Sequence, residues 1–542
     1  NKKKGYGGLI IVKHKINDFN FYTLFGHLSY KSFIYKKGDQ IKKGELIGYI
    51  GNRNENGNWV PHLHFQVLLS KLNYLNDFPG VSFNSEKKVF KSICPDPNYL
   101  FDQRKFNINS KSNSIKMIEF RKKYLGKNLS LQYENPLHFV SGSGVYLLDN
   151  MGQKYLDTLN NIAHVGHENF NVVKSGQNQM ALLNTNTRYL HNNINILTKN
   201  LLTKFPTDLF VVYYVNSGSE ANELAVRMAE TFTNSKNFIV SEGGYHGSTN
   251  KCIELSHYKF SKKGGFGKSN NIHVFPLTDT LRGKYSGKDS TNKYINEIND
   301  LLVNINKKNQ KVAGIILEPI ISCAGQIELP ENFLKSVYKL IRKNGGVCIS
   351  DEIQTGLGRV GEKFWGFELY DVIPDIVTIG KSFGNGHPVS AVVCKREISE
   401  KFNNGMEFFS SFGGNPVSCA IANEVLIEVK SKKLQLNANK IGEYLINKLL
   451  KLSKKYPIIA QIRGKGLFLG FELTNRDLVP LPKQTKYLIN RMLEFKILLS
   501  RDGLDKNVIK IKPPLTFDKK NTDYLISCLD IVLNEDYMKL DI

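Results

Sequence analysis

Three short segments carry residue types that could do chemistry together. Asn216-Ser217-Gly218-Ser219-Glu220-Ala221-Asn222 follows an apolar, strand-like run and opens a helical pattern. Its backbone N–H groups and the positive end of the helix dipole would therefore face an anion such as a phosphate, with Gly218 allowing close approach and Ser219 offering a hydroxyl. Asp351 stands directly after the apolar run Val347–Ser350, where a carboxylate without a partner is costly. It could serve as an ordinary helix N-cap, or pair with a protonated heteroaromatic nitrogen. Gln354, three residues on, could hydrogen-bond a phenolic oxygen of the same ring. Lys381 follows Ile376–Ile379 and precedes Ser382-Phe383-Gly384-Asn385-Gly386, which would keep it at the C-terminal end of a strand, where open α/β sheets place ligands. Beside a cationic ring its pKa would fall, making it a nucleophile and then a proton shuttle. An amine, an anion-binding turn and a carboxylate for a pyridine nitrogen are what pyridoxal 5′-phosphate (PLP) requires, the protonated ring acting as an electron sink. The expectation is a PLP enzyme acting on a small primary amine, with Lys381 and Asp351 catalytic.

These segments need a sheet to hold them. The runs Phe210–Val215, Phe238–Ser241, Val312–Leu317, Val347–Ser350 and Ile376–Ile379 read as buried strands, and Glu223–Phe232 and Glu331–Lys343 between them have helical spacing. This alternation predicts an α/β fold, a mostly parallel sheet with helices on both faces, over about residues 160–430. A smaller α/β region follows over about 436–542, with strands at Gly466–Glu472 and Val508–Ile511. Gly356-Leu357-Gly358-Arg359-Val360-Gly361 matches a dinucleotide fingerprint, but it neither follows its strand directly nor opens a helix, so a dinucleotide fold is rejected. Residues 1–105 read as a β-rich module, with strands at Leu9–Lys13, Phe21–Phe25 and Leu46–Ile50 and tight turns at Lys37-Gly38-Asp39 and Lys43-Gly44-Glu45. The polar stretch Asn107–Ser114 reads as the linker, within 106–115, to a second domain over 116–542.

In order and spacing, Ser217–Asn222, Tyr245-His246-Gly247, Leu317-Glu318-Pro319, Asp351–Arg359, Gly380-Lys381 and Phe412–Pro416 resemble the class-III aminotransferase family of fold-type-I PLP enzymes. The resemblance covers about residues 120–540. It implies that Gly218 and Ser219 bind the cofactor phosphate, that Tyr245 stacks on the ring beside His246 and Gln354, that Asp351 pairs with the pyridine nitrogen, and that Lys381 forms the Schiff base. Ser411 stands where the family usually has a Thr that touches the phosphate from the neighbouring subunit, so a homodimer is implied.

Within this family, ω-amine transaminases hold the carboxylate of the 2-oxo acid with an Arg ahead of a Pro-Pro pair, shielded by a Glu five residues after the one in the Glu-Pro motif. The matching positions here are Lys510 and Cys323. Lysine cannot make the bidentate fork that recognises a carboxylate plane. The strings Asn184–His191, Ile253–Phe260, Asp279–Tyr285 and Asn415–Ala420 are similar to a subgroup comprising ethanolamine-phosphate phospho-lyase and its phosphohydroxylysine-cleaving relative. The implied reaction expels phosphate next to the amine-bearing carbon, with Arg188 and Lys510 available to the substrate phosphate. Transamination is the alternative.

In the first module, Tyr22–Leu28 with His27, and Pro61-His62-Leu63-His64-Phe65, resemble the M23 (lysostaphin-type) zinc metallopeptidases. Residues two apart on a strand share a face, so His62 and His64 could converge. The resemblance implies that His64 is a zinc ligand, with His27 and His62 assisting. The family's other two ligands would lie upstream of the strand starting at Leu9, before Asn1. Zinc needs about three protein ligands, so the expectation is a non-catalytic module unless upstream ligands are present.

Composition sets the remaining bounds. The net charge of +25 comes from 74 Lys+Arg against 49 Asp+Glu, but the lysines are spread along the chain rather than gathered in a stripe, so nucleic acid is not an expected partner. No apolar run approaches membrane-span length. Seven scattered cysteines without CxxC spacing argue against a disulfide framework. A cytoplasmic setting without a targeting leader is expected.

Overall fold

The computed structural model describes residues 5–16, 19–72, 74, 78–97, 110–287 and 289–539. The chain divides into two compact units, Asn1–Asn113 and Ser114–Ile542.

In the first unit Gly8–Ile16, Phe19–Leu28 and His64–Leu68 form a three-stranded antiparallel sheet. Its core is small, with Leu24, Leu68 and Phe78 fully buried and Tyr6, Leu9, Ile11 and Tyr22 packed around them. Both expected turns form, Asp39 N donating to Lys36 O (3.1 Å) and Glu45 N to Lys42 O (3.2 Å). The expected strand Leu46–Ile50 does not. Only Ile50 bridges to Leu28, and Leu46, Tyr49 and Ile50 are exposed, so the run has no face to bury. The boundary between the units, after Asn113, falls inside the expected linker 106–115; of Asn107–Ser114, 107–109 lie outside the described residues, and from Ser110 the chain is the helix Ser110–Tyr124. The good helix formers that follow extend the helix back into the polar residues.

The second unit is organised by a seven-stranded sheet in the order Val211–Val215, Ser390–Cys394, Ile376–Ile379, Val347–Asp351, Val312–Leu317, Asn237–Ser241, Ile272–Phe275. Ser390–Cys394 runs antiparallel to both neighbours; all other pairs are parallel. Every residue of Val312–Leu317 and Val347–Asp351 is buried, because helices cover both faces, which is why these strands read as continuous apolar runs. Alternate side chains go to opposite cores: Ile349 packs with Ala221, Leu224, Ala225 and Met228 of the helix Gly218–Thr233. Cys348 packs with Phe333, Leu334, Val337, Tyr338 and Ile341 of Phe333–Lys343. The glycine-rich decoy Gly356–Gly361 is buried turn, with Gly358 (φ 81°) and Gly361 (φ 78°) left-handed.

A second layer holds a four-stranded antiparallel sheet ordered Ile459–Lys465, Phe468–Leu473, Val508–Ile511, Ser500–Asp502. The helices Leu434–Lys455, Pro482–Glu494 and Lys519–Leu533 share its core. This layer is not built from residues after 436 alone. Lys154–Asp157 pairs in parallel with Ile497–Leu498, and Phe139–Ser143 and Tyr146–Asp149 complete that sheet. Among the described residues, no helix is long and apolar enough to cross a membrane.

Candidate active site

Several sheet strands deliver one functional segment each at their C-terminal ends, where an α/β sheet leaves a crevice. After Val211–Val215, Ser217 caps the helix Gly218–Thr233, its side-chain oxygen accepting from Glu220 N at 3.2 Å. The Glu220 carboxylate accepts from the Asn216 backbone N (3.1 Å) and Nδ2 (3.0 Å). The cap fixes the helix start and leaves first-turn N–H groups, those of Gly218 and Ser219, to be met from outside the helix. A Cβ at Gly218 would stand 2.6 Å from Ile353 Cδ1, and one at Gly380 would stand 3.0 Å from Ser390 Oγ and 3.3 Å from Gly218 Cα. Gly380 thus lets the chain leading to Lys381 approach the helix start, and Gly218 makes room there for Ile353, two residues after Asp351. Lys381 has φ 38°, a left-handed conformation that costs a lysine about 1–3 kcal/mol and that clusters at functional sites.

These segments enclose a cavity of about 210 Å³ whose walls include Gly218, Ser219, Tyr245, His246, Glu318, Asp351, Gln354 and Lys381. Asp351 is 4% exposed. Its Oδ2 accepts from Asn222 Nδ2 and His246 Nδ1, both at 2.8 Å, and its Oδ1 from Ile353 N at 3.2 Å. No helix starts after it, so it is not an N-cap. His246 Nε2 is buried without a partner. Glu318, at the end of Val312–Leu317, accepts from Tyr245 N (3.4 Å) and Ser322 N (3.2 Å); burial first, and then the charge of Asp351, push its pKa up. Burial also raises the Tyr245 phenol, whose ring meets Tyr258 edge-on with centroids 6.0 Å apart. Gln354 Oε1 accepts from Asn161 Nδ2 (3.1 Å) and Lys512 Nζ (3.4 Å), and its Nε2 donates to Ser322 Oγ.

Three sequence-derived residues do not line this cavity. Arg188 is exposed, its guanidinium 3.1 Å from Glu407 and 4.0 Å above the Phe409 ring. Lys510 pairs with Asp502 at 3.2 Å. Ser411 lies on an exposed loop. Cys323, at the other gate position, is a thiol pushed up to about 12 by burial and by Asp502.

Sequence reading missed Lys512, 2% exposed and bonded to a cavity wall. Its one cue was its place before Pro513-Pro514, and in a chain with 74 Lys+Arg a further lysine draws no attention. Arg359 was quoted only as part of a motif. It is fully buried and donates to Leu467 O (3.0 Å), Pro513 O (2.8 Å) and Asn161 O (3.3 Å). It thereby ties the turn after Asp351 to the segment that carries Lys512. Arg359→Ala should destabilise the fold by about 3–5 kcal/mol, since it strips several buried carbonyls of their donor; the midpoint of chemical denaturation measures this, and an unchanged midpoint contradicts it.

In the first unit, the His27 ring centroid lies 4.5 Å from that of His62 and 5.7 Å from that of His64. His62 precedes the strand, which begins at His64, so it reaches the cluster from a loop rather than by strand alternation. His27 Nδ1 bonds Asn56 O at 2.9 Å, and burial lowers the His64 pKa. Among the described residues, no group of three His, Cys, Asp or Glu side chains is placed to hold a metal ion.

The cavity beside Lys381 fits PLP. A capped helix start could take its phosphate, a buried carboxylate held by two donors could take its pyridine nitrogen, and Lys381 borders the same space. The family model Peptidase family M23 matches residues 1–76, and the model Aminotransferase class-III matches residues 130–533. Over 79% of this chain and 88% of the relative, 41% of residues are identical to a Drosophila melanogaster protein named alanine–glyoxylate aminotransferase 2-like. Over 79% of this chain and 94% of the relative, 36% are identical to ethanolamine-phosphate phospho-lyase homolog 1 of Caenorhabditis elegans. Among solved structures, a phospholyase from Arthrobacter in complex with phosphoethanolamine superposes with a TM-score of 0.74 at 33% identity, covering 77% of this chain and 99% of that one. With fold, cavity and relatives in agreement, the chain belongs to the class-III aminotransferase family of PLP-dependent enzymes.

Proposed function

We propose that the larger unit is a phospho-lyase acting on phosphoethanolamine or a similar phosphorylated primary amine. The observation that supports this reading is the gate: Lys510 and Cys323 stand where the family resemblance implies the oxo-acid-binding Arg and its shielding Glu. A lysine held on Asp502 offers a point charge to an anion, not a fork to a carboxylate plane. The names of the C. elegans relative and of the Arthrobacter complex support it.

PLP, when bound, supplies an electron sink for the pair left by the carbon next to the amine. Gly218 and Ser219 would hold the cofactor phosphate at the helix start, and Tyr245 and His246 would wall the ring. Asp351, fixed by Asn222 and His246, would keep the pyridine nitrogen protonated, and Gln354 would bond the phenolic oxygen. Lys381 would anchor the cofactor and then take the proton from the amine-bearing carbon, while the neighbouring C–O bond breaks and its electron pair leaves with the phosphate. Phosphoethanolamine and water give acetaldehyde, ammonia and phosphate.

A second reading, amino transfer to pyruvate or glyoxylate, is favoured by the 41% identity to the relative named alanine–glyoxylate aminotransferase 2-like. Incubating the holoenzyme with phosphoethanolamine should release phosphate and acetaldehyde in equal amounts. Release of neither, with amino transfer to pyruvate or glyoxylate, overturns the lyase.

The proposal includes a cytoplasmic homodimer. Ser411, exposed and outside its own cavity, suits a residue that serves the neighbouring subunit's cofactor phosphate, and the buried free thiols Cys252, Cys348, Cys394, Cys419 and Cys528 suit a reducing compartment. The first module, about residues 1–105, is proposed as a non-catalytic scaffold or the remnant of a zinc endopeptidase, His64 being a zinc ligand only alongside upstream ligands.

A further inference from the structure

Lys512 is an unusual place for a positive charge. Its side chain is 3% exposed, and its backbone is pinned on both sides: its own N–H donates to Thr158 O at 2.7 Å, and Arg359 holds Pro513 O at 2.8 Å. Its ammonium lies 4.1 Å from the Phe468 ring centroid, 3.4 Å from Gln354 Oε1 and 3.9 Å from Asp502 Oδ2. An ammonium has three donors, and a buried one is normally held by close charged partners. Here both oxygens of Asp502 are already engaged, Oδ1 by Lys510 at 3.2 Å and Oδ2 by Gln326 Nε2 at 2.9 Å. Two lysines thus share Asp502 beside Gln354, which lines the cavity, while the next acid, Glu318, is held by the backbone N–H groups of Tyr245 and Ser322.

We propose that Lys512 is the specificity-determining cation of this site, its ammonium, backed by Lys510 across Asp502, taking the phosphate of the substrate on the Gln354 side of the cavity. An anion offsets the charge of the buried ammonium and completes its donor set. A neutral amine does neither. The identity of the anion as a substrate phosphate rests on the lyase reading, whereas the anion site itself does not.

The charged and titratable groups facing Lys512 are Asp502, Lys510, Cys323 and Glu318. Burial outweighs them and lowers the Lys512 pKa to about 8. The protonated form binds the dianion, so affinity should fall as pH rises through that value.

The test uses the PLP-loaded full chain, so that the cofactor's own phosphate site is filled, with inorganic sulfate as a dianion of constant charge over the pH series and inorganic phosphate at neutral pH, both measured by calorimetry. The unsubstituted protein should bind both saturably. Lys512→Met, which keeps a long apolar side chain over Phe468, should weaken binding at least about tenfold, the worth of one charge-assisted hydrogen bond. Lys512→Arg should bind at neutral pH and lose the fall in affinity above pH 8. Equal affinity in the Met variant, an unchanged pH dependence in the Arg variant, or no saturable binding to the unsubstituted protein overturns the proposal. Phosphate release from phosphoethanolamine, measured in parallel, separates the two readings: anion binding that depends on Lys512 without cleavage keeps this site and removes the lyase, and cleavage with an unchanged KM in Lys512→Met does the reverse.

Discussion

Lys381→Ala should lower turnover on the order of 10⁴-fold, because the substitution removes the group proposed both to anchor the cofactor and to move the proton. The fold should survive. Lys381 sits in a short turn that borders the cavity and is only half-buried, so truncating it to alanine enlarges the cavity without opening a hole in the core. The visible absorbance of lysine-bound PLP should vanish while the thermal midpoint stays within a few degrees. Retained colour together with retained turnover would mean that another amine does this work.

Asp351→Asn should reduce kcat by about 10²–10³-fold, the usual loss when a preorganised charge is taken from a dry site. The contrast between two substitutions tells charge from packing. Asparagine keeps the volume and one oxygen for the donors of Asn222 and His246, so it should cost activity with little loss of stability. Asp351→Ala leaves both donors buried without an acceptor, at about 1–3 kcal/mol for each, and should cost both. Steady-state kinetics beside denaturant melts measure the pair; full activity in Asp351→Asn would show that the carboxylate charge is not used.

What could be read from the sequence follows from burial. Val312–Leu317 and Val347–Asp351 are buried on both faces, so their apolar runs announce strands, and Asp351 is conspicuous because a carboxylate closes such a run. Gly218, Ser219 and Lys381 were legible for the same reason: each follows a strand end. Pairing was not legible. Nothing local marks Ser390–Cys394 as antiparallel to both neighbours, or Lys154–Asp157 as the partner of Ile497–Leu498, because register between segments distant in the chain is set by tertiary packing. Leu46–Ile50 shows the opposite failure, an apolar run with no sheet to cover it. Lys512 was invisible because its significance lies in having few partners, which spacing does not encode. Arg188 has the residue type that suits a phosphate but is spent on Glu407 and Phe409.

One lysine, at a strand end on the same cavity as Asp351, is proposed to hold the cofactor covalently. Reducing the PLP-loaded protein with borohydride, digesting it and mapping the labelled peptide by mass spectrometry tests this directly. A single pyridoxyl-phosphate adduct on Lys381 is the expected product. A label on Lys512, Lys510 or any other lysine, or none at all, would contradict it.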